Sequence, residues 1–316
     1  MIRLDGPTVP WDGLAQLECS SLQEGMKMDL LGYEGKTVVV AGAATGMGKA
    51  ATELLLQQGA QVHALDIAPI DTPVKQAIKL DLSDEESIDQ AVRQLPDKVD
   101  CLFSCAGISS IYLGRQFSSV HVNLVNFVGP RLLTELLIPR IPAGGAIAMI
   151  ASMTASQWPK SLAKIDELLA QESFAAGKAW LEAHEHDPAT IGGDPKLNNN
   201  YRFSKEATVV YVKRRSWALA ERQIRINALS PGITETPMLP SFSAITGIDD
   251  PEMKVIWPGV GRISTALDQA KALLFLNSDL AGYVSGVDLL CDYGFRVKEQ
   301  LGGETALQGI QAKRDG

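Results

Sequence analysis

Short apolar runs alternate with amphipathic stretches along most of the chain. Runs typical of buried strands lie at 37–41, 61–66, 78–81, 99–105, 146–150, 225–229 and 287–291. Apolar residues recur at helical spacing over 49–58, 87–94, 120–138, 201–221 and 267–276. Strands that alternate with helices of this length predict a parallel sheet covered on both faces. We therefore expect an α/β fold built on one Rossmann-type, doubly wound parallel sheet of about seven strands.

This periodicity is absent at the two ends and at one internal place, which defines the expected domain organisation. Residues 1–34 precede the first strand, so we expect an N-terminal extension there. The segment 153–200 lies between a predicted strand and a predicted helix, and its own amphipathic run is formed by Leu162, Ile165, Leu168 and Leu169. We expect an insertion with at least one helix there, within a single domain spanning 35–295 that is followed by a C-terminal tail, 296–316.

The composition favours a small-molecule ligand over a nucleic acid or a membrane. The 316-residue chain has a formal net charge of -8, whereas a protein that follows a nucleic-acid backbone needs a concentrated basic surface. No stretch approaches the roughly 18 apolar residues of a membrane span, and the N-terminus lacks a basic segment followed by an apolar core. We therefore expect a cytoplasmic protein with a small-molecule substrate, no nucleic-acid partner and no membrane association.

The cysteines and histidines do not suggest a metal site. No close paired spacing typical of zinc ligands occurs among the cysteines, which are Cys19, Cys101, Cys105 and Cys291. Cys101 and Cys105 share a predicted strand that separates their Cα atoms by roughly 13 Å, too far for a disulfide. His184 and His186 would point to different faces of a helix. We expect reduced thiols and no metal.

A glycine-rich turn joins the first predicted strand to the first helix. It reads Gly42-Ala43-Ala44-Thr45-Gly46-Met47-Gly48. Glycine is needed where the backbone turns tightly or approaches a pyrophosphate closely, and the following helix start offers amide groups and a positive dipole. Turns are also rich in glycine for purely steric reasons, so the turn alone leaves both interpretations open.

Asp66 ends the second predicted strand, about 20 residues beyond the glycines, where an acid can accept hydrogen bonds from the adenosine ribose. Its negative charge would repel a 2′-phosphate. NAD is therefore favoured over NADP as the cofactor. The alternative is that Asp66 only caps a loop.

Tyr201 and Lys205 stand four residues apart on a predicted helix, so their side chains share one face. A free tyrosine has a pKa of about 10, and a neighbouring ammonium together with an oxidised nicotinamide would favour its anion. Ser152, just past the fifth strand, is suited to donate a hydrogen bond to a substrate oxygen while Tyr201 transfers the proton. The alternative for the tyrosine–lysine pair is a solvated helix face.

Several motifs occur in the order found in the short-chain dehydrogenase/reductase family, which the chain resembles over most of residues 35–295. The glycine turn resembles the family's Thr-Gly-x-x-x-Gly-x-Gly, with Ala41 in place of the threonine. Asp81-Leu82 resembles the family's adenine-contacting pair. The serine, tyrosine and lysine described above match its catalytic residues. The resemblance implies a Rossmann-type fold and hydride transfer with a nicotinamide cofactor.

Two further segments resemble motifs of the family around the catalytic centre. Cys105-Ala106-Gly107 resembles Asn-Ala-Gly, and Cys105 is a departure that removes a hydrogen-bonding amide. Asn126 matches the family's fourth catalytic residue, which is thought to hold a water linking the lysine to solvent. Asn123, one turn earlier, is the alternative. Asn126 is preferred because the family's glycine follows three residues after its asparagine, as Gly129 does here.

The segment Pro231-Gly232-Ile233-Thr234-Glu235-Thr236 resembles the part of the family that packs on nicotinamide. Thr234 and Thr236 are the expected contacts of the carboxamide and the phosphate, and the resemblance gives the catalytic tyrosine and lysine a second role at the cofactor. The predicted cofactor contacts are therefore Gly42, Thr45, Gly46, Met47, Gly48, Asp66, Asp81, Leu82, Cys105, Ala106, Gly107, Tyr201, Lys205, Pro231, Gly232, Ile233, Thr234 and Thr236.

The insertion narrows the resemblance to one subgroup. Segment 153–200 is much longer than the family's usual connection between serine and tyrosine. It resembles the insertion of bacterial 3α-hydroxysteroid dehydrogenase/carbonyl reductases, and coniferyl-alcohol dehydrogenases share related features. Either resemblance implies a bulky, largely apolar substrate. The candidates for an apolar site mouth, each also typical of ordinary packing, are Trp158, Met238, Leu239, Phe242, Ile245 and Trp257.

The resemblance also implies a homo-oligomer, a dimer or a tetramer. In the family, the tyrosine helix and the long helix before it commonly pair with their copies in a second subunit. An insertion directly before the tyrosine helix would cover this surface or rebuild it with Leu162, Ile165, Leu168 and Trp180. The alternative is that the insertion is a solvent-exposed surface loop, since long insertions in surface loops are well tolerated.

Residues and resemblance together predict an NAD(H)-dependent oxidoreductase that interconverts a hydroxyl and a carbonyl group. Its predicted catalytic residues are Ser152, Tyr201, Lys205 and Asn126. Two alternatives stay open, because a fold alone does not establish chemistry. They are a non-catalytic NAD-binding regulator and an epimerase or dehydratase on the same fold.

Overall fold

The computed structural model of the chain describes residues 29–192, 199–241 and 262–300. Seven strands form one sheet: β1 Thr37–Ala41, β2 Gln61–Asp66, β3 Gln76–Lys79, β4 Cys101–Ser104, β5 Ala146–Ile150, β6 Arg225–Pro231 and β7 Asp288–Cys291. They lie in the order β3-β2-β1-β4-β5-β6-β7, and all neighbours run parallel. The predicted α/β fold with a Rossmann-type parallel sheet is confirmed.

Helices cover both faces of this sheet. They are α1 Gly46–Gln57, α2 Glu85–Gln94, α3, α4 Trp158–Leu169, α5 Phe174–Ala183, α6 Asn199–Ala220, α7 Ala266–Asn277 and α8 Phe295–Gln300. Helix α3 runs through an α-helical segment Ser119–Asn123, a π-helical segment Leu124–Val128 and a second α-helical segment Gly129–Leu137. Helices α1 and α7 lie on one face, and α2, α3 and α6 lie on the other. No helix in these three ranges has both the length and the hydropathy to cross a membrane.

The central strand β1 explains why both faces must be covered. Val38 and Val40 pack in the apolar cluster with α1 and α7, whereas Val39 and Ala41 pack in the cluster with α2, α3 and α6. All four side chains are fully buried. Successive strand residues point to opposite faces, so a strand buried on both sides has to be apolar at every position.

Strand β3 begins and ends two residues before the predicted range 78–81. A turn at Asp81 follows it: the Asp81 Oδ1 atom accepts hydrogen bonds from the backbone amide of Ser83 at 2.8 Å and from its hydroxyl at 2.7 Å. Such a side-chain-to-backbone bond mimics a backbone turn and leads the chain away from the sheet. Asp81 therefore lies in the loop beyond the strand.

Residues just outside the predicted boundaries at 35 and 295 contact the domain. Tyr33 is fully buried, and its hydroxyl donates a hydrogen bond to the Leu274 carbonyl oxygen at 2.6 Å. At the other end, α8 continues to Gln300, and its Arg296 hydrogen-bonds to Ser156. Periodicity could not indicate either contact because a single residue near a chain end carries no repeat. The rest of the predicted extension and tail, 1–28 and 301–316, lies outside the described residues.

The insertion 153–200 contains two helices, α4 and α5, where at least one was expected. On α4, Ile165 and Leu168 are fully buried in the cluster with α3 and α6, and Leu162 and Leu169 pack at its edge. This is the apolar face that the sequence predicted.

Polar and aromatic contacts also join the insertion to α3 and α6. The guanidinium of Arg214 on α6 donates to both carboxylate oxygens of Asp166 on α4, at 2.7 to 3.1 Å. The Trp180 ring on α5 stacks on Phe203 of α6, with the ring centroids 6.1 Å apart. Arg131 on α3 donates to the carbonyl oxygen of Leu169 at 3.0 Å. The insertion helices therefore pack along α3 and α6.

Candidate active site

A cavity of about 800 Å³ opens at the carboxyl ends of the central strands. In doubly wound sheets, ligands bind in the crevice at the point where the strand order reverses, which here lies between β1 and β4. Every residue predicted to contact the cofactor lines this cavity, and so does Ser152. Asn126 lies behind its wall. The structure brings these residues together, and their individual roles remain predictions.

The glycine turn is packed too closely for any side chain at two of its positions. Gly42 has a φ of +85°, and a Cβ atom there would come within 2.4 Å of the Ala106 backbone nitrogen. A Cβ atom at Gly48 would come within 2.0 Å of the Gly42 carbonyl oxygen. The glycines therefore let the first turn of α1 and the segment after β4 approach each other closely at the floor of the cavity.

The start of α1 is suited to an anionic ligand. Its N-cap residue, Thr45, makes no side-chain capping hydrogen bond, and the first turn holds no acidic residue. The first amides of a helix have no partner within the helix, and the helix dipole adds positive charge there. Together with the closely packed glycines, this arrangement fits the pyrophosphate of a dinucleotide.

Asp66 caps two loops and also lines the cavity. Its Oδ2 atom accepts a hydrogen bond from the Ala44 amide, and its Oδ1 atom accepts one from the Ala68 amide, both at 2.9 Å. These two bonds show that Asp66 does cap loops, as the alternative interpretation expected. A carboxylate oxygen can accept more than one hydrogen bond, so these contacts leave Asp66 able to bind a ribose hydroxyl as well.

The segment after β6 lies across the glycine turn. A Cβ atom at Gly46 would lie 3.5 Å from the Thr236 methyl carbon. The Thr234 hydroxyl hydrogen-bonds to the Ser264 hydroxyl at 2.8 Å and to the Gly232 carbonyl oxygen at 2.9 Å. These bonds hold Thr234 in place, and both threonines line the cavity near the start of α1.

Tyr201, Lys205 and Ser152 meet at the other end of the cavity. The Lys205 Nζ atom donates to the Ile150 carbonyl oxygen at 2.9 Å and lies 5.7 Å from the centre of the Tyr201 ring. The Ser152 Oγ atom accepts hydrogen bonds from the Thr154 amide at 3.2 Å and from the Thr154 hydroxyl at 3.0 Å. Ser152 and Tyr201 are also hydrogen-bonded to each other. With both bonds from Thr154 accepted, the serine hydroxyl keeps its own proton to donate.

Burial dominates the protonation of this group. It raises the pKa of Tyr201 to about 12, although the hydrogen bond with Ser152 lowers it in part. It also lowers the pKa of Lys205 to about 8, against an opposing effect of Cys105. The sequence argument relied on an oxidised nicotinamide together with the Lys205 ammonium to favour the tyrosinate, and that expectation stays a prediction; in the chain alone, desolvation has the largest effect on Tyr201. At neutral pH, Tyr201 holds its proton and most of Lys205 is charged.

Asn126 lies in the π-helical segment of α3, close to Lys205. Its Oδ1 atom accepts from the Ile108 amide at 2.8 Å, and its Nδ2 atom donates to the Ile108 carbonyl oxygen at 2.9 Å. A Cβ atom at Gly107 would lie 3.3 Å from Lys205 Nζ and 3.4 Å from Asn126 Oδ1, so both groups flank that glycine. Asn123 instead donates to backbone oxygens of α3 and α6. The geometry favours Asn126 over Asn123.

Cys105, the departure from the family's Asn-Ala-Gly, lines the cavity beside the glycine turn. Burial raises the pKa of its thiol to about 12. A thiol is reactive as its thiolate, so burial disfavours Cys105 as a nucleophile. Among the residues in the three described ranges, no group of histidine, cysteine and acidic side chains is arranged to hold a metal ion.

Two parts of the cavity wall were not indicated by the sequence. One is an antiparallel pair after β4, Ile111–Tyr112 with Arg115–Gln116, and the other is Phe295 and Arg296 after β7. Of the predicted mouth residues, Met238 and Leu239 line the cavity. Trp158 does not, because it packs against the core, and Lys213 Nζ lies 5.7 Å from its ring centre. The other three, Phe242, Ile245 and Trp257, lie outside the described residues.

Family models match the chain on both sides of the insertion. The model described as short chain dehydrogenase matches residues 36–163, and the model described as Enoyl-(Acyl carrier protein) reductase matches residues 191–296. The two matches contain the glycine turn, Ser152, Tyr201 and Lys205.

Curated relatives match nearly over their whole length. A coniferyl-alcohol dehydrogenase from a Pseudomonas species is 28% identical over 261 residues, which cover 82% of this chain and 96% of the relative. A 3-alpha-hydroxysteroid dehydrogenase/carbonyl reductase from Comamonas testosteroni is 30% identical over 266 residues, which cover 81% of this chain and 95% of the relative.

Solved structures show the same fold. A 3-alpha-hydroxysteroid dehydrogenase from Pseudomonas sp. B-0831, complexed with NADH, is 25% identical and superimposes with a TM-score of 0.67, covering 85% of this chain and 100% of that chain. A 3-ketoacyl-(acyl-carrier-protein) reductase from Brucella melitensis, also complexed with NADH, is 25% identical with a TM-score of 0.59, covering 83% of this chain and 98% of that chain.

Proposed function

The chain belongs to the short-chain dehydrogenase/reductase family, and from this premise we propose that it is an NAD(H)-dependent alcohol dehydrogenase or carbonyl reductase acting on a bulky, largely apolar substrate. One observation carries the proposal. Ser152, Tyr201 and Lys205 converge at one end of a cavity whose other end holds the glycine turn and Asp66. The NADH complexes of the structural relatives support the choice of cofactor.

The mechanism follows from the protonation of the three side chains. A nicotinamide held in the cavity would supply hydride to the carbonyl carbon or accept it from the alcohol carbon. In the reducing direction, Ser152 donates a hydrogen bond to the substrate oxygen, and Tyr201 gives that oxygen its proton. The ammonium of Lys205, held by the Ile150 carbonyl oxygen, stabilises the tyrosinate that remains. In the oxidising direction, Tyr201 takes up the proton.

The protonation of Lys205 predicts how carbonyl reduction depends on pH. As the pH rises through the Lys205 pKa of about 8, the ammonium that stabilises the tyrosinate is lost. Tyr201, with a pKa of about 12, stays protonated and contributes no change. We expect kcat/KM to be level below about pH 8 and to fall by up to about tenfold per pH unit above it. Steady-state kinetics with NADH measure this, and a profile level to about pH 10 would contradict it.

The charge of Asp66 predicts the cofactor preference. We expect NADH to bind at least about tenfold more tightly than NADPH, a difference of about 1.4 kcal/mol, because the carboxylate repels a 2′-phosphate. Asp66→Asn removes the charge but keeps one oxygen for the Ala44 or Ala68 amide. This variant should lower the ratio of NADH affinity to NADPH affinity by a larger factor than it lowers the affinity for NADH itself. Calorimetry measures both affinities, and equal affinities in the wild-type protein would disprove the preference.

A substrate panel tests the proposed activity against its alternatives. Steroids, aromatic alcohols and simple ketones would be assayed with NAD(H), and the absorbance of NADH would report net hydride transfer. A non-catalytic regulator binds NADH without turnover. An epimerase or dehydratase converts its substrate without a net change in NADH. Either result would replace the proposal.

We also propose that the protein assembles as a homo-oligomer, a dimer or a tetramer. The face of α3 and α6 that commonly pairs in the family is covered here by α4 and α5. Pairing through this face would use the insertion helices rather than α3 and α6 directly. Light scattering measures the mass of the assembly in solution.

A further inference from the structure

The proposed proton donor, Tyr201, lies in the first turn of its helix. It is the third residue of α6. The first four amide groups of a helix have no carbonyl partner within it, and helix ends fray. A proton donor has to stay close to its working position, because a misplacement of about 1 Å can lower a rate by about 10²-fold. The backbone of Tyr201 therefore depends on contacts with groups that do not belong to the helix ladder.

The side chain of Asn200 makes the first of these contacts. Its Oδ1 atom accepts a hydrogen bond from the Tyr201 amide at 2.6 Å and another from the Ser110 hydroxyl at 3.2 Å. Its Nδ2 atom donates to the Ser119 hydroxyl oxygen at 3.3 Å. Ser110 follows β4, and Ser119 is the first residue of α3. Asn200 therefore joins the first turn of α6 to two other segments of the chain.

Asn123 on α3 also holds Asn200 in place. Its Nδ2 atom donates to the Asn200 carbonyl oxygen at 3.1 Å and to the Ser119 carbonyl oxygen at 3.0 Å. Asn123 is fully buried, and among the described residues its Oδ1 atom has no hydrogen-bond partner. A buried polar atom without a partner is unfavourable. An apolar side chain at this position would avoid that cost but could not hold Asn200.

The carbonyl group of Tyr201 is held as well. Its oxygen accepts a hydrogen bond from the Ser204 hydroxyl at 2.6 Å, and the Ser204 oxygen accepts one from Asn126 Nδ2 at 3.1 Å. Both backbone groups of Tyr201 are therefore linked to α3, the amide through Asn200 and the carbonyl through Ser204.

We propose that Asn200, together with Asn123, positions Tyr201 for proton transfer to the substrate. This inference rests on the proposed function. Neither asparagine belongs to the described lining of the cavity, so contact with substrate or cofactor does not explain a role in the reaction. Their effect passes through the backbone of Tyr201. Asn123, the alternative to Asn126 in the sequence, thus acts beside the catalytic residues rather than as one of them.

Replacing Asn200 with alanine tests this role. Asn200→Ala keeps the Tyr201 hydroxyl but removes the acceptor of its amide and the bonds to Ser110 and Ser119. We expect kcat and kcat/KM for reduction of cinnamaldehyde, an apolar aromatic aldehyde, to fall by the same factor, at least about tenfold. Equal factors are expected because proton transfer contributes only in the transition state. The NADH affinity, measured by calorimetry, should change by less than about twofold.

A double-mutant cycle distinguishes positioning of Tyr201 from a general loss of structure. In the Tyr201→Phe background the proton donor is already absent, so Asn200→Ala should lower the remaining kcat by less than about twofold. Single-turnover kinetics with NADH measure the chemical step in all four proteins of the cycle. A residue that only stabilises the fold would change kcat by the same factor in both backgrounds.

Two further substitutions show which hydrogen bonds carry the effect. Asn200→Asp keeps an oxygen for the Tyr201 amide and the Ser110 hydroxyl, and a carboxylate is favourable at a helix start. It should stay within about threefold of the wild-type kcat. Asn123→Leu fills the same buried place without the bond to the Asn200 carbonyl oxygen, and it should lower kcat by about threefold or more.

Asn227 on β6 provides the matched control. It is also fully buried, and its side chain bonds to the backbone of Val284 and Val287. It does not belong to the described lining of the cavity. Asn227→Ala should therefore lower the stability towards denaturant without changing kcat.

The outcomes separate this inference from the proposed function. If Asn200→Ala keeps the wild-type kcat, or lowers kcat equally with and without the Tyr201 hydroxyl, positioning is wrong while the reductase assignment stands. If Asn200→Ala does not bind NADH, Asn123→Leu takes its place in the same cycle and decides the question. If cinnamaldehyde is not reduced, the cycle is measured with the carbonyl of the substrate panel that is reduced fastest. If no carbonyl oxidises NADH, the proposed function fails, and this inference fails with it.

Discussion

Replacing Tyr201 with phenylalanine lowers kcat for carbonyl reduction by at least about 10²-fold and leaves NADH affinity nearly unchanged, which is the expected result for loss of the proton donor. The Tyr201 side chain is buried, and its hydroxyl hydrogen-bonds to Ser152. Phenylalanine keeps the ring beside Lys205 and removes only that hydroxyl. Single-turnover kinetics with NADH measure the chemical step.

A second buried tyrosine on the same helix provides the matched control. The hydroxyl of Tyr211 donates to Glu135 Oε1 at 2.7 Å and does not line the cavity. Tyr211→Phe should therefore lower stability by about 1–3 kcal/mol, because it leaves a partly buried acceptor unpaired, without changing kcat. If Tyr201→Phe keeps most of its turnover, or if both variants lose it equally, Tyr201 is not the acid–base residue.

The central strands and the glycine turn could be predicted because their constraints are local. Each buried position of β1 must be apolar, and Gly42 and Gly48 occupy places where a side chain would collide with backbone. The antiparallel pair after β4 had no such signal. Its turn places Leu113 at a φ of +49° and Gly114 at +75°. Leucine disfavours positive φ, so the sequence does not indicate this hairpin.

Contacts between distant segments explain what else the sequence could not predict. Arg296 binds Ser156 across 140 residues of sequence, and neither residue belongs to a motif with a characteristic spacing. The four-residue spacing of Tyr201 and Lys205 placed them on one face correctly, but spacing holds no information on desolvation. Burial depends on the whole surrounding fold, and it raises the pKa of Tyr201 in the chain alone.

The contacts of the insertion predict how a substitution there changes stability. The result distinguishes packed helices from a solvent-exposed surface loop. Trp180 on α5 is 9% exposed and stacks on both Phe203 and His184. Trp180→Ala should lower the free energy of unfolding by about 3–5 kcal/mol, because it removes a large side chain from the packed core. Denaturant unfolding at one fixed protein concentration measures the change, so that any effect of assembly is held constant.

Trp217 is the matched control for this change, since it lies on α6 and is 86% exposed. Trp217→Ala should change the free energy of unfolding by no more than about 0.5 kcal/mol. Replacing residues 160–195 with a Gly/Ser linker should then give a protein that aggregates or fails to fold, because the apolar face of α6 around Phe203 loses its cover. The contradicting result is a linker variant that folds, binds NADH and keeps both the number of subunits in its assembly and its substrate profile. In that case the insertion is a solvent-exposed surface loop with no part in assembly or specificity.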